Sequence, residues 1–307
     1  MNPTKVDGVV VGIGELLWDC FEDRRLPGGA PANVAFHAAQ LGHRGIPCSR
    51  IGDDELGREL LDYLESRDLE TGFVQLDGGL PTGRVTVDTG DPGHPTFTIH
   101  ENVAWDALEF DSGLERLMRD ASAVCVGTLA QRDPRSRETI RRCLDAAAGA
   151  EVVYDVNLRQ SWYRREWIES TLDHSTIVKL NIDEVRTLAP LLGGLPAAPG
   201  EFARALIERH DVELVCVTRA EEGCLVLTAD DSAEVPGLRV AVADAVGAGD
   251  AFTAALISAR LRRWPLGLTA GFANRVGALV AGRPGAMPAL AGEFAELLDA
   301  AENGSLD

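Results

Sequence analysis

The feature that most restricts the fold is a repeated alternation. Short apolar runs rich in valine and isoleucine are followed by longer stretches whose apolar residues recur every three or four positions. "GVVVGIG" (8–14) is the first such run, and "PANVAFHAAQLG" (31–42) follows with helical spacing and a stop at Gly42. "PCSRIG" (47–52) then precedes the amphipathic "DELGRELLDYLESRDL" (54–69). The rhythm resumes with "SAVCVG" and the helix "SRETIRRCLDAAAGA", then "EVVYDVN". "TIVKLN" leads into the helix "IDEVRTLAPLL", and the helix "GEFARALIERHD" into the strand "VELVCVT". Strands alternating with helices require crossover connections, which give a parallel sheet covered on both faces. Three helical stretches, "DAFTAALISARLRR", "LTAGFANRVGALVAG" and "AGEFAELLDAAEN", end the chain.

Two segments break the rhythm. "LLWDCFEDRRLPGG" (16–29) follows the first strand, and "TGRVTVDTGDPGHPTFTIH" (82–100) reads as two alternating strands around a Gly/Pro turn. Together they predict a small β-layer outside the main sheet. Such a layer tolerates one wet face and could close as a lid that excludes water. The expectation is one α/β domain over residues 1–307 with a lid from about 15–28 and 82–104.

Composition excludes several classes. Hydrophobic residues make up 45% of 307, enough for a sizeable core. No run approaches the ~20 apolar residues of a bilayer span, and the start lacks a basic segment with a cleavage site, so a cytoplasmic protein is expected. The net charge of -19 argues against nucleic acid and anionic membrane as partners. Among 29 basic residues only Lys5 and Lys179 are lysines, which fits salt adaptation or biased base composition equally. The six cysteines form no CxxC pair and no zinc-like cluster, and most lie in apolar runs as reduced, buried thiols.

"DAVGAGDAF" (244–252) carries the chemistry. Gly247 and Gly249 allow positive φ and close backbone approach, and a good helix follows. Gly247, Ala248 and Gly249 therefore sit at a helix N-terminus whose free amides make an anion site. Asp250, beside that site, suits a general base for a hydroxyl attacking a phosphoryl group, and equally a helix cap. The loop is no Walker A motif, for it lacks the lysine. "GIGELLW" offers Gly12 and Gly14 but Leu17 in place of the third glycine, with no helix after it, so the dinucleotide fingerprint is rejected and a nicotinamide-dependent dehydrogenase is disfavoured.

These residues resemble the PfkB/ribokinase-type carbohydrate kinases. "GGAPANVAFHAAQLG" is similar to the family's first signature and "DAVGAGDAF" to its second, with "YDVNLR", "KLNIDE" and "VTRAEEG" between them in order. The match runs from about Val9 to Pro288, and "GELLWD", "GGAPANVA" and "DVNLRQ" look most like bacterial fructokinases. The resemblance implies a ribokinase-like fold, a Rossmann-like mostly parallel sheet with a β-lid. It also implies ATP-dependent phosphorylation of a sugar hydroxymethyl group, fructose first, with 2-keto-3-deoxygluconate and ribose as alternatives. A catalytically silent sugar-binding protein is the alternative from another class, and retention of Asp250 speaks against it.

Residue by residue, the resemblance makes Asp250 the base and Gly247, Ala248 and Gly249 the anion hole. Asp19, Gly28, Gly29, Asn33, Arg159 and Asp244 match substrate positions, where short polar groups grip vicinal hydroxyls. Asn157, Lys179, Asn181, Thr218, Gly223 and Asn274 match the nucleotide side, with Arg219 beside them and Phe272 or Ala273 as adenine neighbours. Glu184 matches the acid that holds Mg²⁺ through water, and the Asn181/Glu184 pair reads also as a capping box. Asn157 and Arg159 follow a strand's carboxyl end, where open parallel sheets bind ligands, and Arg132 ends another. Trp105 and Phe97 are lid aromatics or lid packing. A monovalent cation such as K⁺ belongs to the same region, but Ala245 replaces a usual threonine and removes a hydroxyl there. The family also brings homodimerisation through lid strands as an expectation.

Overall fold

The computed structural model describes residues 8–88 and 96–306. The chain opens with β1 (Val9–Ile13), leaves the main layer for β2 (Leu17–Cys20) and β3 (Arg25–Gly28), and returns through α1 (Ala30–Gln40) to β4 (Arg44–Gly52), α2 (Glu55–Glu65) and β5 (Val74–Asp77). It departs again for β6 (Gly83–Asp88) and β7 (Thr96–Ile99). Then α3 (Ser112–Asp120), β8 (Ala123–Val126), α4 (Pro134–Ala146), β9 (Glu151–Asp155), α5 (Arg165–Leu172), β10 (Ile177–Asn181), α6 (Ile182–Leu191), α7 (Pro199–His210) and β11 (Leu214–Thr218) continue the alternation. β12 (Cys224–Leu227) and β13 (Ser232–Val235) form a meander, and α8 (Ala248–Leu261), α9 (Leu266–Ala281) and α10 (Ala291–Glu302) end it.

Among the described residues the main sheet has nine strands in the order β13-β12-β11-β10-β9-β8-β1-β4-β5. The seven from β11 to β5 are parallel, and β12 and β13 add antiparallel pairs at one edge. Successive side chains point to opposite faces, so a single strand feeds two cores. Val11, Val124, Val152 and Tyr154 pack on the face covered by α3–α7, while Val10, Cys125, Val153 and Cys216 pack against α1, α8, α9 and α10. Burial on both faces explains why these strands read as continuous apolar runs rather than alternating ones. Five of the six cysteines are buried free thiols, and Cys20 is half-buried.

The second sheet, among the described residues, has four strands in the order β3-β2-β6-β7. β6 alternates strictly: Val85 and Val87 are buried, while Arg84, Thr86 and Asp88 are exposed. One face is thus wet and the other packs inward. β6 and β7 pair antiparallel, Val87 opposite Phe97. The Gly/Pro turn between them falls on 89–95, outside the described residues. β5, α3, α5 and the β12–β13 meander go beyond the sequence reading. Among the described residues no helix is long and apolar enough to cross a membrane.

Candidate active site

The carboxyl ends of β9, β10 and β11 converge beneath the N-terminus of α8. Gly247 is the N-cap of α8 with φ 80°, a left-handed conformation that penalises any β-carbon. A β-carbon there would also lie 2.6 Å from the Ala286 Cα and O. The first intrahelical bond runs from the Ala251 N–H to the Gly247 carbonyl at 2.9 Å, so the Gly249 and Asp250 amides precede the helical ladder. The Ala248 amide makes only a long contact to the Ala245 carbonyl at 3.4 Å. Donors and helix dipole together favour an anion at this point.

Asp250 is the third residue of α8 and half-buried. Asn33 Nδ2, from α1, donates to its Oδ2 at 2.7 Å. Burial, reinforced by Asp155, pushes its carboxyl up from 3.8 to about 6, against the opposing Asn33 bond and the charges of Lys179 and Arg159. A carboxylate poised there accepts a proton near neutral pH.

The groups expected to hold sugar gather around this pair. Asp19, on β2, lies against Gly28, where a β-carbon would stand 2.6 Å from its Oδ2. Burial raises Asp19 from 3.8 to about 6, with Arg159 opposing and Asp244 reinforcing. Gly29 caps α1 with φ 120°, and a side chain there would strike the Glu15 carbonyl. Arg159 is exposed, with one bond to the Leu158 carbonyl at 3.2 Å. Asp244 braces its loop: its oxygens accept the Val246 amide at 3.0 Å and the Gly285 amide at 3.2 Å. It therefore reaches the sugar side through its charge toward Asp19.

On the other side of the α8 turn lies a cleft of about 860 Å³. Asn181, Thr218, Gly223, Ala248 and Gly249 line it together with Leu238, Val240, Val242, Phe252 and Asn274. Asn274 reaches the Pro236 carbonyl at 2.8 Å. Asn181 Oδ1 accepts the Asp183 and Glu184 amides at 2.9 Å, and Glu184 Oε2 accepts the Asn181 amide at 2.7 Å, a reciprocal capping box. Glu184 Oε1 accepts the Leu158 amide at 2.8 Å. The Glu184 side chain is thus buried, 5% exposed, with both oxygens held by backbone amides. Among the described residues no three His, Cys, Asp or Glu side chains form a metal cage.

The pfkB family carbohydrate kinase model matches residues 5–291. The chain belongs to the pfkB family of carbohydrate kinases. It is 32% identical to fructokinase-1 of Oryza sativa subsp. japonica over 282 residues, covering 87% of this chain and 85% of that protein. An uncharacterized sugar kinase from Pyrococcus horikoshii, solved in complex with ATP, is 26% identical with a TM-score of 0.78, covering 94% of this chain and 99% of that one. Aminoimidazole riboside kinase from Salmonella enterica, complexed with aminoimidazole riboside and an ATP analog, is 25% identical with a TM-score of 0.75, over 94% and 99%. The fold is ribokinase-like, and the enzyme is a sugar kinase.

In this pfkB kinase several side chains stand elsewhere than the sequence suggested. Lys179 does not line the cleft: it is 7% exposed, and its ammonium pairs with Asp155 at 3.0 Å. Phe272 and Ala273 are fully buried in the core beneath α9. Helical spacing turns Asn274, Gly277, Ala278 and Ala281 to the cleft instead. Arg219 turns away to Glu234 at 2.7 Å. Arg132 is consumed by Asp106 at 2.8 and 2.9 Å and stacks 3.9 Å from the centre of the buried Trp105 ring, so neither faces a sugar. Phe97 is 52% exposed on β7. Asn157 adopts φ 40°, a strained turn after β9. Asp155, Thr253 and Glu15 were not singled out from sequence. An acid ending the apolar run "EVVYD" was the available signal for Asp155. The exposed apolar strip Leu238, Val240 and Val242 was legible only as a stray alternation.

Proposed function

We propose that this kinase transfers the γ-phosphoryl of ATP to a primary hydroxyl of a sugar, with fructose going to fructose 6-phosphate as the first candidate. One observation carries the reading. The first turn of α8 is shared by two compartments: Ala248 and Gly249 line the large cleft, while Asp250, the next residue, meets Asn33 among the sugar-side groups. A nucleotide whose adenine rests on Leu238, Val240 and Val242 would bring its phosphates to the α8 amides. A sugar held by Asp19, Asn33 and Arg159 would place a hydroxyl at Asp250.

Asp250 takes the hydroxyl proton as the oxygen attacks. The amides at the start of α8 receive the charge that develops on the transferring group, since phosphoryl transfer needs positioning and charge stabilisation above all. Mg²⁺ would neutralise phosphate charge when bound, with Glu184 holding it through water. The four-stranded sheet would act as the lid that keeps water from the phosphoryl group. Support for fructose comes from the name of the rice relative. Arg159 favours a second reading: its guanidinium is exposed and could take the carboxylate of 2-keto-3-deoxygluconate. A coupled assay of ADP release with fructose, 2-keto-3-deoxygluconate, ribose and aminoimidazole riboside decides the substrate. Asp250→Asn should lower kcat on the best one by at least ~10². Wild-type turnover in that variant, or no sugar turned over by the wild type, refutes the reading.

A further inference from the structure

Only two of the 29 basic residues are lysines. One of them lies buried under the α8 turn. Lys179 Nζ stands 3.0 and 3.1 Å from the two carboxylate oxygens of Asp155, which is 3% exposed. The Asp155 Oδ2 also accepts the hydroxyl of Thr253 at 2.7 Å. Thr253 belongs to α8, is fully buried, and lies 3.0 Å from the Gly249 carbonyl. A β-carbon built on Gly249 would come within 3.3 Å of the ammonium. β9, β10 and α8 are thus tied by one buried cation, one carboxylate and one hydroxyl directly beneath the amides that precede the helical ladder. A compact ammonium on a flexible stem suits that space, and a planar guanidinium needs more of it.

We propose that Lys179, Asp155 and Thr253 form a buried anchor that fixes the first turn of α8, and with it the Gly249 amide and the Asp250 carboxylate, for phosphoryl transfer. The three are positioning residues, and the proposal rests on the kinase chemistry assigned to Asp250 above. The charged and titratable groups facing Asp250 are Asp155 from β9, Lys179 from β10, Arg159 beyond β9, Glu15 beyond β1 and Cys125 from β8, and Asn33 from α1 donates to it. Removing the Lys179 cation leaves Asp155 uncompensated, and both effects favour the protonated form of Asp250.

The test compares purified Thr253→Val, Thr253→Ser, Lys179→Met and Lys179→Met/Asp155→Asn with the wild type, using ATP and the best sugar of the panel. Thr253→Val should lower kcat about tenfold with both KM values within about twofold, and Thr253→Ser should restore it, as expected for a small misplacement of reacting groups. A role confined to stability would lower Tm and leave kcat of the folded enzyme unchanged. Lys179→Met should move the acid limb of kcat/KM up by about one pH unit, and adding Asp155→Asn should bring it back. If Lys179→Met fails to fold, the Thr253 pair decides alone. A folded Thr253→Val with wild-type kcat overturns the anchor, as does an unmoved acid limb in folded Lys179→Met. Asp250→Asn in the same assay separates the two claims. An inactive Asp250→Asn beside an unaffected Thr253→Val sinks the anchor alone, whereas an active Asp250→Asn sinks both.

Discussion

Replacing Asp250 by asparagine should lower turnover by at least ~10² and yet stabilise the protein at alkaline pH. The carboxyl is raised from 3.8 to about 6 by burial and by Asp155. Between those two values the folded state binds more protons than the unfolded one, so wild-type stability falls as pH rises through the window. At ~1.4 kcal/mol per unit, the ionised side chain destabilises the fold by about 3 kcal/mol above pH 7. The asparagine amide keeps the shape and can still accept the Asn33 bond, which is 2.7 Å in the wild type, while carrying no charge to desolvate. The gain should be near zero below pH 4 and grow to its full value above pH 7. For a chain of this size that is an increase in Tm of about 5 °C. Calorimetry of both proteins at pH 4 and pH 8 measures the difference. A variant that is less stable than wild type at pH 8, or whose gain is the same at both pH values, would falsify the burial argument.

Three further outcomes are expected. Asn33→Ala removes a hydrogen bond that favours charged Asp250, so the acid limb of kcat/KM, expected near pH 6 in the wild type, should move upward; an unmoved or lowered limb in a pH–rate profile contradicts this. Gly247→Ala must place a β-carbon at φ 80° and against the Ala286 backbone, so stability should fall by about 1–3 kcal/mol and kcat by more than ~10-fold, read by denaturation and steady-state kinetics. Arg132→Met leaves the buried Asp106 carboxylate without its partner and should lower unfolding free energy by about 3–5 kcal/mol in urea, where a change below about 1 kcal/mol would show the pair to be dispensable.

The fold was legible because its strands announce themselves. "GVVVGIG", "SAVCVG" and "VELVCVT" are buried on both faces, as strands of a parallel sheet under two helix layers are, and the helical stretches between them supply those layers. The site's backbone parts were legible for a related reason: Gly247 and Gly29 stand where positive φ is needed. Side-chain direction was less so. Whether an arginine reaches a ligand or a neighbouring acid depends on tertiary geometry, and Arg132 and Arg219 both found acids. The helical phase of α9 separates Asn274 from Phe272 by only two residues, yet puts them on opposite sides. Lys179 and Asn181, two residues apart on β10, share a face of the sheet, but the buried Asp155 carboxylate on β9 takes the Lys179 ammonium at 3.0 Å and keeps it from the cleft. Asp155 and Thr253, 98 residues apart, meet only in three dimensions.

The position of Asp250 poses an electrostatic puzzle that its surroundings answer. A helix N-terminus favours negative charge, so a carboxylate in the first turn should ionise more readily than usual. Here burial and Asp155 outweigh the dipole and hold the group near 6. Arrival of nucleotide places further negative charge at the adjoining amides of Ala248 and Gly249, which line the cleft. Like charge nearby disfavours the carboxylate, so binding should raise its proton affinity again, making it a stronger base at the moment a hydroxyl is presented. The kcat/KM profile reports the free enzyme and the kcat profile the loaded one. The acid limb of kcat should therefore lie above that of kcat/KM, by about half to one pH unit. If the kcat limb falls at or below the kcat/KM limb, bound phosphate does not face Asp250, and the shared first turn of α8 cannot be the meeting point of the two substrates.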